Sequence, residues 1–181
     1  MTGFSTAPIL GTGEEAEGAE MQIEMTIRGL MVDPITNMPI IVLREQEGSR
    51  VLPIWVGVFE ANAIALQIEN VQTPRPMTHD LLKAVITGLQ AEVERVVVCE
   101  LRENTFYATI DIRSPRGLVT IDARPSDAIA LALRTGTRIF VEEAVILSAR
   151  TLEAENETTD VGRLQKWLEG LSDDDLGKYK M

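Results

Sequence analysis

Asp122-Ala-Arg-Pro-Ser-Asp-Ala-Ile-Ala-Leu-Ala-Leu-Arg134 is the stretch on which the reading of this chain turns. Gly117 to Asp122 reads as a strand whose last apolar residue is Ile121. Beyond Pro125 and Ser126 the apolar residues follow a helical period as far as Arg134. Proline suits a first helical turn, where the N–H groups have no intrahelical acceptor, and a Ser126 or Asp127 side chain can cap those groups. The strand-to-helix corner therefore carries two carboxylates, Asp122 and Asp127, around one guanidinium, Arg124. Such a corner can hold a substrate or an ion. It can equally be a capped helix start with a surface ion pair, and the rest of the chain has to separate the two.

Working outward, Gly117 to Asp122 follows a hairpin, Val93 to Leu101 and Thr105 to Arg113, that turns at Glu103-Asn104. The same order occurs earlier. Met21 to Val32 is a strand, Pro39 to Arg44 and Arg50 to Val56 form a hairpin, and Glu60 to Val71 is a helix. Ala63-Ile-Ala-Leu66 recurs as Ala128-Ile-Ala-Leu131, a shift of 65 that aligns Asn62 with Asp127. This suggests two pseudo-equivalent ββα units around a shared core. Between them Thr73-Pro-Arg-Pro76 breaks the chain, and Thr78 caps a helix from His79 to Ala91. A short strand, Arg138 to Val141, and an apolar stretch, Ala144 to Ala149, come last. With hairpins dominant and no regular βαβ alternation, the fold class is α+β, with mixed, largely antiparallel sheets and packed helices. Residues 1–20 read as a disordered leader, 21–150 as one domain, 151–158 as a polar linker, and Val161 to Leu171 as an amphipathic helix.

The chain has 181 residues and a net charge of −11. Most of that acidity lies in the two terminal segments, so the core is close to neutral and has no basic stripe. Affinity for a polyanion comes mainly from neutralised phosphates, so composition neither promises nor forbids a nucleic-acid partner. Twelve of the core's bases are Arg and one is Lys, which favours bidentate contacts to carboxylate or phosphate. No apolar run has the length of a membrane span. The first 20 residues lack the basic and apolar regions of a secretory signal. The single cysteine, Cys99, leaves no partner for an intrachain disulfide and suits a reducing cytoplasm as a buried, inert thiol.

Several stretches together resemble the bifunctional nuclease family: Leu52-Pro-Ile-Trp-Val-Gly57 with Glu60-Ala61, Arg75-Pro-Met-Thr-His-Asp-Leu81, Thr105-Phe-Tyr-Ala108 and Asp122 to Arg134. The resemblance runs in order over residues 21–150. It implies an α+β fold, a tendency to form homo-oligomers, and nuclease activity on DNA and RNA.

Phosphodiester hydrolysis needs an activated water, charge neutralisation at phosphorus and help for the leaving oxygen. Candidates lie at element boundaries: Glu60, His79, Asp80, Asp122 and Asp127 for catalysis, with Arg75, Arg124, Ser126 and Arg134 for binding substrate. Asp122 and Asp127 are the expected pair for Mg²⁺ or Mn²⁺, hard cations that take carboxylate oxygens. His79 is the chain's one imidazole. The competing reading keeps the same charges as a structural ion network in a non-catalytic oligomeric or nucleotide-binding module. Trp55 and Phe59, with apolar neighbours, are expected in the core. Open strand edges at Met21 to Val32 and at Val141 to Leu147 are expected to drive self-association.

Overall fold

The computed structural model describes residues 21–155 other than position 35, and side chains as far as Ala149. Seven strands and four helices follow one another as β1 (Gln22–Val32), β2 (Pro39–Glu45), β3 (Val51–Trp55), α1 (Val58–Ile68), α2 (Thr78–Gly88), β4 (Glu92–Arg102), β5 (Thr105–Ser114), β6 (Gly117–Ala123), α3 (Pro125–Thr135), β7 (Ile139–Glu142) and α4 (Glu143–Glu155). The strands form one sheet in the order β3-β2-β1-β7-β4-β5-β6. Every neighbouring pair is antiparallel except β4 and β7. This is an α+β fold, as the hairpin-rich sequence indicates.

The order is nearly symmetric about β7. Each flank is a three-stranded meander that runs directly into a helix, β1-β2-β3-α1 on one side and β4-β5-β6-α3 on the other. The repeated unit is thus βββα rather than ββα. Measured between the helix N-caps, Gly57 and Arg124, the offset is 67 rather than 65. It superposes Glu60 on Asp127, each the third residue of its helix. The Ala-Ile-Ala-Leu match gave a different register because alternate small and large apolar residues fit a buried helix at more than one alignment.

One face of the sheet carries the main core. Ile41, Leu43, Leu52 and Ile54 of the first meander and Val96, Val98, Ala108 and Ile110 of the second pack beneath Ile64 of α1, Ala128 to Ala132 of α3, and Val145, Ile146 and Ala149 of α4. Period-2 alternation in the strands and a nearly continuous apolar run in α3 are what this burial requires. On the opposite face, Met31, Ile40 and Val42 make a small second core with Trp55 packed against it. Along the rest of that face runs a polar chain. Thr120 and Arg95 donate to Asp111, Arg95 donates to Gln22, and Gln22 donates to Glu142. The hairpin between β4 and β5 turns at Glu103 and Asn104, both with positive φ, the backbone that matches the twist of a two-residue connection. α3 ends at Gly136, whose φ of 70° is the left-handed conformation that glycine adopts without strain.

Several expectations change. β1 and β7 are interior strands, so the edges lie at β3 and β6. The stretch after Glu142 is not strand, because α4 begins at Glu143. α4 also takes in residues 151–155 of the expected linker. Thr78 is the first residue of α2 and Met77 its N-cap. Phe59 is exposed, since the apolar positions of α1 that face the core are Ala61, Ile64 and Ala65. Trp55 packs, on the sheet face away from the helices, and its indole N–H donates to Asp33. The proposed leader and the helix beyond Val161 lie outside the described residues. No helix among the described residues is long and apolar enough to cross a membrane.

Candidate active site

Three helices begin close together, and each has a carboxylate at its third position: Glu60 in α1, Asp80 in α2 and Asp127 in α3. A first-turn acid is favoured by the helix dipole and by free N–H groups, so helix physics explains the residue type. What those carboxylates reach is particular to this fold. α1 and α2 both pack on α3, and a single chain of contacts links the three starts. His79 Nε2 lies 3.1 Å from Asp127 Oδ1. Arg124 Nε donates to Asp127 Oδ2 at 2.8 Å, and Arg124 Nη2 donates to Glu60 Oε1 at 2.8 Å. Burial would raise the pKa of Asp127, but the hydrogen bonds from Arg124 and His79 outweigh it and hold the carboxyl below its ordinary value. An ionised carboxylate only accepts, so Nε2 of His79 is the donor in this contact. His79 is buried, with 8 % of its surface exposed.

A second cluster lies beside the first and is fully committed to structure. Arg134, in the last turn of α3, donates from Nε to Asp80 Oδ1 at 2.6 Å, from Nη1 to the Ala130 carbonyl at 2.9 Å and from Nη2 to the Ala63 carbonyl at 3.1 Å. It ties α3 to α2 and to α1 from within the protein, its side chain only 4 % exposed. Asp80 Oδ2 accepts the Met77 N–H at 2.8 Å, and this bond, ahead of Arg134, keeps its pKa low. Asp80 therefore caps α2, a role expected of Thr78. Arg134 has its guanidinium directed at protein groups rather than at a substrate.

The remaining candidates divide. Arg75 lines a cleft of about 350 Å³ beside Pro74, Met77, Asp80 and Arg134, and its guanidinium has no partner among the described residues. Ser126 and Arg124 line a second cleft of about 260 Å³, with Trp55, Gly57 and Phe106. Asp122 is not brought to the cluster. It pairs with Thr109, while its neighbours Ile121 and Ala123 pair with Ile110 and Ala108 under α3. Strand side chains alternate, so Asp122 points to the sheet face away from the helices. Both oxygens of Asp127 are already engaged, and among the described residues no group of three or more His, Cys, Asp or Glu side chains is placed to hold a metal ion. The donor set does not fit the Mg²⁺ or Mn²⁺ expected between Asp122 and Asp127. Gly57 escaped the sequence reading: a Cβ there would lie 2.3 Å from Glu60 Oε2. Its signal was a glycine immediately before a helix with Glu at the third position.

The family model for the bifunctional nuclease domain matches residues 41–154. A Mycobacterium tuberculosis protein described only as uncharacterized is 41% identical over 162 residues, covering 84% of this chain and 97% of its own length. Bifunctional nuclease 2 of Oryza sativa subsp. japonica is 31% identical over 125 residues, which is 67% of this chain and 38% of that protein. Bifunctional nuclease 1 of Arabidopsis thaliana is 29% identical over 114 residues, 61% of this chain and 35% of that protein. The chain thus matches little more than a third of each plant relative. The span matched by the family model includes Glu60, His79, Arg124 and Asp127, and the chain belongs to the bifunctional nuclease domain family.

Proposed function

We propose that the chain is a nuclease acting on DNA and RNA phosphodiesters, with His79 as its proton-transfer group. The observation that carries the reading is the 3.1 Å contact between His79 and Asp127, made where three helix starts meet. Asp127 fixes the imidazole tautomer and would stabilise the imidazolium formed when Nδ1 takes a proton from the attacking water or ribose hydroxyl. Arg124, two-thirds exposed, is placed to neutralise charge developing on the phosphoryl oxygens. The nuclease names of the plant relatives support the substrate class. Divalent-metal dependence, expected from Asp122 and Asp127, loses its support with the separation of that pair.

A second reading, a non-catalytic module, is favoured by the Arg134 clamp, which shows that this helix junction uses ion pairs to hold itself together. Self-association belongs to both readings. Leu81, Leu82 and Val85 of α2 and Leu89 at its C-cap form an exposed apolar stripe, and we propose that a second copy covers it. A cytoplasmic setting suits Cys99, whose thiol burial pushes up in pKa and keeps protonated.

The deciding experiment is cleavage of labelled single-stranded RNA and DNA by the purified full chain, with H79N alongside and with EDTA added. Cleavage that survives EDTA and disappears in H79N is the expected result. Equal cleavage by H79N would remove His79 from the mechanism, and loss with EDTA would bring the metal back.

A further inference from the structure

The geometry points to a phosphate subsite in the cleft of about 260 Å³ between the two meanders, one that receives a nucleotide phosphoryl group and that Glu60 guards. Its ligand rests on the nuclease reading, but its residues are argued independently. Gly57 and Arg124, the N-caps of α1 and α3, both line the cleft, and neither helix start has a side-chain cap. The first-turn N–H groups of α1 and the Ser126 N–H of α3 are thus available in one place, Pro125 having no N–H and the Asp127 N–H donating to the Arg124 carbonyl, an arrangement suited to an anion. Ser126 supplies the second sign. It lines the cleft, is only 6 % exposed, and its hydroxyl has no hydrogen-bond partner among the described residues. The hydroxyl opens onto the cleft, where it can donate to a bound phosphoryl oxygen. Arg124 adds a guanidinium that can bind phosphate in bidentate fashion.

Glu60 already satisfies part of this arrangement. Its Oε1 accepts from Arg124, and its Oε2 lies 2.3 Å from where a Gly57 Cβ would stand. A carboxylate is therefore held against the cleft wall and on the cation that a phosphate would use. An incoming phosphoryl group takes over Arg124 and displaces Glu60, which makes Glu60 a competitor of the substrate rather than a catalytic residue. Phe106 and Pro125 form the apolar part of the wall, giving a nucleoside a surface that inorganic phosphate does not exploit.

The test is an NMR titration of the isotope-labelled full chain with inorganic phosphate and with thymidine 3′,5′-bisphosphate, which contains no phosphodiester to cleave. Saturable shifts at the Phe59, Glu60 and Ser126 amides are expected, with the bisphosphate binding more tightly than phosphate. S126A should weaken binding by about tenfold, the scale of one hydrogen bond to a charged group. E60Q should tighten it. Unchanged spectra with both probes, or binding weakened by E60Q, would overturn the subsite, and equal affinity for the two probes would overturn the nucleotide assignment. Because no cleavage is read, failure of the nuclease assay leaves this result to stand or fall by itself.

Discussion

Asp127 accepts from His79 through one carboxylate oxygen and from Arg124 through the other, at 3.1 and 2.8 Å. One side chain thus joins the N-terminus of α2 to the N-cap of α3, and a single substitution separates the two readings of the site. D127N keeps the shape but loses the charge and one acceptor. We expect cleavage to fall by about a hundredfold or more, the usual scale for a general-base partner, with a stability loss of only about 1–2 kcal/mol. A variant that unfolds more easily by that amount yet cleaves normally would leave only the structural role.

Arg134 should behave in the opposite way. R134M removes donors to Asp80, Ala130 and Ala63 from a position almost out of solvent. Breaking one side of such a buried pair costs about 3–5 kcal/mol, because the carboxylate and carbonyls left behind lose their partners. Urea denaturation should show that loss, and R134K should not restore it, since one ammonium cannot serve three acceptors set apart in a planar fork. A change below about 1 kcal/mol would show that the clamp is dispensable.

Acid should weaken the helix junction. Asp80 and Asp127 both have folded pKa values below the ordinary one, so in the acid range the unfolded chain binds more protons than the folded chain does. Their contribution is complete above the ordinary carboxylate value of about 4 and is lost as pH falls through the lower folded values. Urea midpoints measured from pH 7 down to pH 3 should therefore drop, and the drop should be shallower in D80N. An equally steep profile in D80N would assign the acid sensitivity to other groups.

How much of this was legible in the sequence depended on whether the signal was local. The hairpin turn at Glu103-Asn104, the helix opened by Pro125 and the meander-then-helix order are local patterns, and all three are present. The partners of Asp122, Arg124 and Arg134 were not legible. Asp122 and Asp127 are five residues apart, yet strand alternation turns one away from the helices while the helix start turns the other toward α2. Arg134 resembles any arginine near a helix C-terminus. Its burial is decided by Ala63 and Asp80, 71 and 54 positions away. The edge strands were misjudged for the same reason, because β7 inserts between β1 and β4, antiparallel to the first and parallel to the second, by long-range pairings that no local pattern encodes.

Gly57 offers a last test, since it acts only through its neighbour. Its backbone, at φ −69° and ψ 154°, is open to any residue, so G57A introduces no conformational strain. The added methyl would instead clash with Glu60 Oε2. The flexible carboxylate end should swing aside and give up Arg124, with global stability changing by no more than about 1 kcal/mol. If that is the whole effect, G57A and E60Q remove the same contact, and their effects on Arg124 will not add. A double-mutant cycle read on thymidine 3′,5′-bisphosphate affinity should show the second change contributing little once the first is made. Full additivity would mean that Gly57 and Glu60 act separately, and that glycine at this N-cap has another cause.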